Sequence, residues 1–210
     1  MAANKYIILA SIMLTMFIGP FLGTSVNLCI PSMESDLNVD AATVGWTITA
    51  FSIAMAAFIL PMGKIADLTS RRIMFMIGLA IIIGSSFITG IVDSFEMLMV
   101  CRIVQALGSA MTSATAIPIA ITMFPPEKRG KIIGICSSAV YFGGSMGPTL
   151  GGFMNTAFSW RWVFFLAMFV ALIALTIAFV SMPRGNHQRP VVPIDVPGNA
   201  LYLIMISLVL

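Results

Sequence analysis

Across its 210 residues the chain is 59% hydrophobic and only 9% charged, with a mean hydropathy of +1.03. That balance lies outside the range of water-soluble globular domains and predicts an all-α integral membrane protein. A pI of about 9.0 and a net charge of +3 would suit nucleic acid in a soluble domain, but the basic residues here fall between apolar runs, which argues against nucleic acid as a partner and makes them signals of topology.

A bilayer core about 30 Å thick takes roughly 20 apolar residues of helix. Six runs of that kind follow one another, at 6–30, 43–63, 73–92, 97–123, 131–155 and 162–182, and residues 1–182 are expected to form one six-helix bundle. Residues 183–195 read as a cytoplasmic linker, and a further apolar run, 196–210, is too short to cross with ease. The expectation is therefore an N-terminal fragment, natural or engineered, of a chain at least twice as long, cut inside its seventh helix. The first run follows a short basic head, as a signal peptide does. Its length, Gly19 and Pro20 at its middle, and the lack of a clear small-residue cleavage site favour a retained span.

Nine of the eleven basic residues, among them Lys5, Lys64, Arg71, Arg72, Lys128, Arg129 and Lys131, fall on the side of the N-terminus together with three acids. The opposite side carries five acids, Glu34, Asp36, Asp40, Asp93 and Glu96, and one base, Arg161. Loops rich in Lys and Arg stay in the cytoplasm, so a cytoplasmic N-terminus is expected.

Cys29, Cys101 and Cys136 lie inside runs, with no C-x-x-C and no neighbouring histidine, and read as small apolar fillers, so no metal or cofactor is expected. The single histidine, His187, falls in the linker, either solvated or as a pH sensor. The seventeen methionines read as packing and lipid-facing residues. With no Ser/His/Asp set at membrane depth and no H-E-x-x-H, an enzyme is not expected.

The informative residues are the polar and helix-breaking ones inside the runs. Asn27 falls late in the first, as a candidate cavity-lining residue, and Arg102, Gln105 and Pro118 fall in the fourth. Polar groups at membrane depth face a bundle interior or a watery cavity. Arg102 has two placements open to it: inward, or snorkelling to the headgroups about 9 Å away along the helix. Gln105, one turn deeper, has less reach. In the fifth run, Gly143, Gly147 and Gly151 recur every four residues and make a smooth stripe that lets another helix approach closely. Pro148 frees the carbonyl of Gly144 and invites a kink. The stripe is either a tight contact alone or, with Pro148 and the further Gly152, a closely packed yet bendable joint.

These residues carry a resemblance. Gly143-x-x-x-Gly147-Pro148-x-x-Gly151-Gly152 resembles the fifth-helix antiporter motif of drug exporters in the major facilitator superfamily. The stretch from Gly63 through Asp67 to Arg71 and Arg72 is similar to that superfamily's G-x-L-A-D-x-x-G-R-R loop, and Arg102-x-x-Gln105-Ala106-x-Gly108-x-Ala110 to its R-x-x-Q-G-x-G-x-A motif. "NLCIPSM", "PPEKRGK", "WRWVFF" and Asp195-x-x-Gly198 resemble the proton-linked exporter branch with fourteen helices.

The resemblance implies a plasma-membrane exporter of amphipathic, hydrophobic or cationic compounds, working by proton antiport and alternating access. Its six-helix halves would each be built from two inverted three-helix repeats, with the substrate cavity between the halves. Gly63, Asp67, Arg71 and Arg72 would form a cytoplasmic gating loop whose charges pair with the missing C-terminal half, and Arg102 with Gln105 would serve proton coupling. Some positions depart from the pattern. Leu22 stands where the branch commonly has an acid, and no Asp or Glu falls within the six runs. Ser70 and Ala106 each replace a glycine, which should be tolerated, and Ala167 stands where an asparagine is common. Two alternatives stay open: a facilitator or metabolite exporter with altered ion coupling, motivated by Leu22, or a non-transporting truncated membrane module.

Overall fold

A computed structural model describes residues 5–182, so the linker 183–195 with His187, Arg184, Arg189 and Asp195, and the apolar run 196–210 with Gly198, lie outside the described residues. Helices α1 (Lys5–Leu37), α2 (Ala41–Leu68), α3 (Arg71–Ile91) and α4 (Phe95–Thr122) come first. After a 3₁₀ turn at Pro126–Lys128 the fifth crossing runs as α5 (Arg129–Met146), a π-wound segment (Gly147–Gly151) and α6 (Gly152–Ala157), and α7 (Arg161–Ser181) follows. Among the described residues five of these helices are each long and apolar enough to cross a membrane. The fifth crossing makes a sixth only when its three pieces are taken together.

Short turns join the first four helices, and each of these turns supplies a cap. Asp40 accepts the Thr43 N–H at 3.1 Å, Ser70 that of Ile73 at 3.3 Å and Ser94 that of Met97 at 3.4 Å, so α2, α3 and α4 start with an orphan N–H satisfied. Ser70, in the place of a loop glycine, thus has a helix-starting use. Asn38, with φ of 53°, takes the left-handed conformation that stops α1.

The pairing of helices follows an exchange rule. α1 packs on the fifth crossing and α4 on α2; α3 packs on α4 and α7 on α1; α3 and α7 pack on each other. Exchanging α1–α3 with α4–α7 maps each pairing onto another, as expected of two three-helix repeats related by a pseudo-twofold axis. The core between them holds Ile12, Phe21, Leu22, Phe75, Leu79 and Phe164, all fully buried. Along α7 the buried face is Ala167, Ala171, Ala174 and Ala178, a small-residue stripe that brings α7 close to its neighbours, and Ser11 on α1 donates to the Ala174 carbonyl at 2.7 Å. The charges separate by end. Lys5 lies over the Phe124 ring beside the α4–α5 loop, and Arg72 donates to the Phe179 carbonyl, which places the start of α1, the α2–α3 turn and the end of α7 at one basic end.

Candidate functional site

Arg102 sits on α4 at 1% exposure and takes the inward placement. Its Nε donates to the Thr47 carbonyl on α2 at 3.4 Å and its Nη1 to Gln105 Oε1 at 2.6 Å. Gln105 Nε2 donates in turn to Ser86 Oγ on α3 at 2.8 Å. An arginine can only donate, so it takes the amide oxygen of Gln105 and leaves the nitrogen for Ser86; the line of bonds has one sense. The guanidinium carbon lies 4.4 Å from the Phe51 ring centroid and 5.8 Å from that of Phe164. No ion pair reaches Arg102 among the described residues. A buried charge without a carboxylate costs several kcal/mol unless dipoles and ring faces replace its water, and here a carbonyl, an amide and two rings do so. Thr47, Phe51 and Ser86 have no marker in the linear sequence; they lie on other helices, Ser86 19 residues from Gln105 and Thr47 55 residues from Arg102.

Close approach of α3 to α4 makes the Gln105–Ser86 bond possible. A Cβ on Gly78 would fall 2.8 Å from the Gly108 carbonyl oxygen, and one on Gly108 2.8 Å from that of Gly78. Ala106, in the place of a glycine, is fully buried.

The stripe on the fifth crossing faces α1. A Cβ on Gly143 would overlap the Phe17 carbonyl, one on Gly147 would run into Thr24 Oγ1 and come within 3.0 Å of the Phe21 carbonyl oxygen, and one on Gly151 would lie 2.6 Å from Ser25 Cβ. Gly144 and Gly152 lie on the flank, with 3.9 Å to Pro20 and to Leu28. Where the contact is tightest the crossing is wound as a π segment, with Pro148 inside it, and Ser25 Oγ donates to the Gly147 carbonyl at 3.0 Å. The expected kink thus takes the form of a local rewinding, and a hydroxyl of α1 meets a carbonyl within it.

At the α2–α3 turn Arg71 Nε pairs with Asp67 Oδ1 at 2.8 Å, both half-exposed, while Arg72 Nη2 reaches the Phe179 carbonyl at 3.2 Å. Gly63 lies where a Cβ would meet Ala114 Cβ at an ordinary 3.6 Å. The turn thus pairs within itself and with α7.

A cleft of about 410 Å³ opens between α1, α2, α4 and α5, with Thr15, Phe51, Met55, Ser109, Thr112 and Ser113 in its wall. Asn27 is exposed, donates to the Gly23 carbonyl of its own helix at 2.9 Å and lies outside that wall. Leu22 is 1% exposed in the core.

A cluster at the acidic end has no counterpart among the candidate residues read from the sequence. Arg161, at the start of α7, pairs with Asp36 of α1 and with Asp93 Oδ1 at 2.8 Å, and donates to the Val92 carbonyl at 2.9 Å. Trp160 Nε1 donates to Asp36 at 2.9 Å, and Arg161 lies 4.5 Å from the Trp160 ring. Partial burial raises the Asp36 pKa, but hydrogen bonds from Arg161 and Trp160 and the charge of Arg161 outweigh it and hold the carboxyl below its ordinary 3.8. The sequence does carry a signal for it, since Arg161 is the one base on the acid-rich side.

The sequence model of the family described as Major Facilitator Superfamily matches residues 12–200. Among curated proteins the chain is 27% identical to the riboflavin transporter RibZ of Clostridioides difficile (strain 630), over 99% of this chain and 45% of that protein. It is 30% identical to the lincomycin resistance protein LmrB of Bacillus subtilis (strain 168), over 86% of this chain and 38% of that protein. With the multidrug resistance protein Stp of Mycobacterium tuberculosis (strain ATCC 25618 / H37Rv) it shares 29%, over 87% of this chain and 34% of that protein. The chain spans less than half the length of each of these relatives.

Proposed function

This chain belongs to the major facilitator superfamily, and on that premise we propose that it is the N-terminal portion of an exporter of small amphipathic molecules, working by alternating access and proton antiport. The N-terminus and the basic end face the cytoplasm, the plasma membrane holds the bundle, and a C-terminal half completes the path. Relatives named for lincomycin and multidrug resistance support export as the direction of transport.

The observation that carries the reading is the seam between α1 and the fifth crossing. Three glycines in register bring the two backbones together, and the π segment at the same place gives the crossing a second way to wind. Such a joint holds two packed parts in contact while one turns against the other. The charged turn at Asp67, Arg71 and Arg72 gives the basic end contacts that can exchange between two states separated by a few kcal/mol.

Arg102 is the residue for coupling: a buried, dipole-solvated cation can draw a carboxylate toward ionisation and release it on protonation. Among the described residues the carboxylates all lie at helix ends or in turns, so the titrating acid belongs to the rest of the protein or to an end. The buried Leu22 and the riboflavin transporter among the relatives favour a second reading, a metabolite exporter with altered ion coupling. Transport by the full-length protein in proteoliposomes, with and without an imposed pH gradient, separates the two. Accumulation that follows the gradient supports antiport, equilibration indifferent to it supports the second reading, and no movement of any compound defeats both.

A further inference from the structure

The 410 Å³ cleft has a chemistry narrower than amphipathic export requires. We infer that the wall contributed by this chain selects uncharged aromatic molecules over cations, with Phe51 as the partition between the occupant and Arg102; this rests on the transport reading above.

The thirteen residues of the wall include no Asp, Glu, Lys, Arg or His. Phe51, Met16 and Met55 offer ring and thioether surface, a soft apolar lining that suits flat rings. The polar groups are neutral hydroxyls. Those of Thr15 and Thr112 already donate to carbonyls of their own helices, at 2.8 and 3.0 Å, so what they present to an occupant is oxygen lone pairs. Ser109 and Ser113 extend the same side of the wall along α4. Neutral N–H or O–H donors fit that set.

The charge beside the wall is of one sign. Phe51 lines the cleft, and the Arg102 guanidinium stacks on its ring at 4.4 Å. No carboxylate among the described residues pairs with that guanidinium, and the carboxylates stand at helix ends or in turns, away from the cleft. A cation in the cleft would therefore lose its water and meet a like charge across one ring, in surroundings that screen poorly. An uncharged ring meets neither cost.

The test uses the full-length protein, purified in detergent for binding and reconstituted in proteoliposomes for transport. The probes are N-phenyl-1-naphthylamine, aromatic and uncharged, and ethidium, a permanent aromatic cation. The uncharged probe is expected to bind about tenfold more tightly or better, the order of one like-charge contact at this range. Ser113→Asp, at an exposed position of α4, gives a cation its missing partner and should shift the ratio toward ethidium by about tenfold. If that variant fails to fold, the wild-type ratio decides alone. Ethidium binding as tight as the uncharged probe, or a folded Ser113→Asp with an unchanged ratio, overturns the inference, and ethidium transport would then leave the exporter reading standing. If neither probe binds or moves, this inference falls, and the exporter reading falls with it only if no other compound moves in the proteoliposomes either.

Discussion

Arg102 carries its charge at 1% exposure with no carboxylate in reach among the described residues, so the dipoles and rings around it are what solvate it. Replacing it by Ala in the full-length protein should abolish gradient-driven efflux and leave membrane insertion intact; efflux from inverted vesicles under an imposed pH gradient is the measurement, and an unchanged rate removes Arg102 from coupling. Ser86→Ala strands the Gln105 amide N–H, and a buried unpaired donor costs about 1–3 kcal/mol, a loss visible in thermal unfolding in detergent. Asp36 sets a pH dependence at the other end. Its folded pKa is lowered, so the stability it contributes is present above its ordinary 3.8 and is lost as pH falls through the folded value. Asp36→Asn should therefore melt earlier than wild type at about pH 7, and the gap should close on acidification below that ordinary value. A gap that stays constant from neutral pH down to about pH 3 would remove the ion pair as its cause.

At the scale of elements, the seam between α1 and the fifth crossing decides what can move. The glycines of the motif are unequal in it: Gly147 lies against Thr24 and the Phe21 carbonyl, whereas the nearest atom to a Cβ on Gly152 is 3.9 Å away. Gly147→Leu should block transport through crowding of two backbones, and Gly152→Ala should be close to neutral. Transport rates of the two variants at matched expression check this, and a fully active Gly147→Leu would leave the seam without a mechanical role. The spacing of Gly143, Gly147 and Gly151 is legible in the sequence as a contact stripe. The partner helix is not, because a stripe of small residues states only how closely something packs. Nor is the π winding, within which Ser25 of α1 meets the Gly147 carbonyl from 122 residues away.

For the whole molecule, the separation of charge between the two ends predicts the topology. A single cysteine replacing Glu127, in the α4–α5 loop, should be shielded from an impermeant maleimide in intact cells, and one replacing Asp93, in the α3–α4 turn, should react. The reverse pattern would invert the proposed orientation. The native thiols of Cys29, Cys101 and Cys136 are buried and give little background. The Arg161 clamp joins α1, the α3–α4 turn and α7 at the acidic end, opposite the basic end where the proposed gate lies. One end of this bundle is thus tied by ion pairs between helices, while the other pairs Asp67 with Arg71 in a single turn.

The amino-acid sequence by itself determined that the chain is helical and belongs in a membrane, where its apolar runs fall and how charge divides between them, because hydropathy and charge act residue by residue along the chain. It also marked Arg102, Gln105 and the glycine stripe, since a polar group or a run of missing side chains at membrane depth is costly wherever the helix lands. Only the tertiary structure decided that Phe51 and Ser86 complete the Arg102 site, that Gly78 meets Gly108, and that Trp160 and Arg161 gather Asp36 and Asp93. Those are contacts between helices distant in sequence, set by how apolar faces and small-residue stripes pack together, and no single segment encodes its partner.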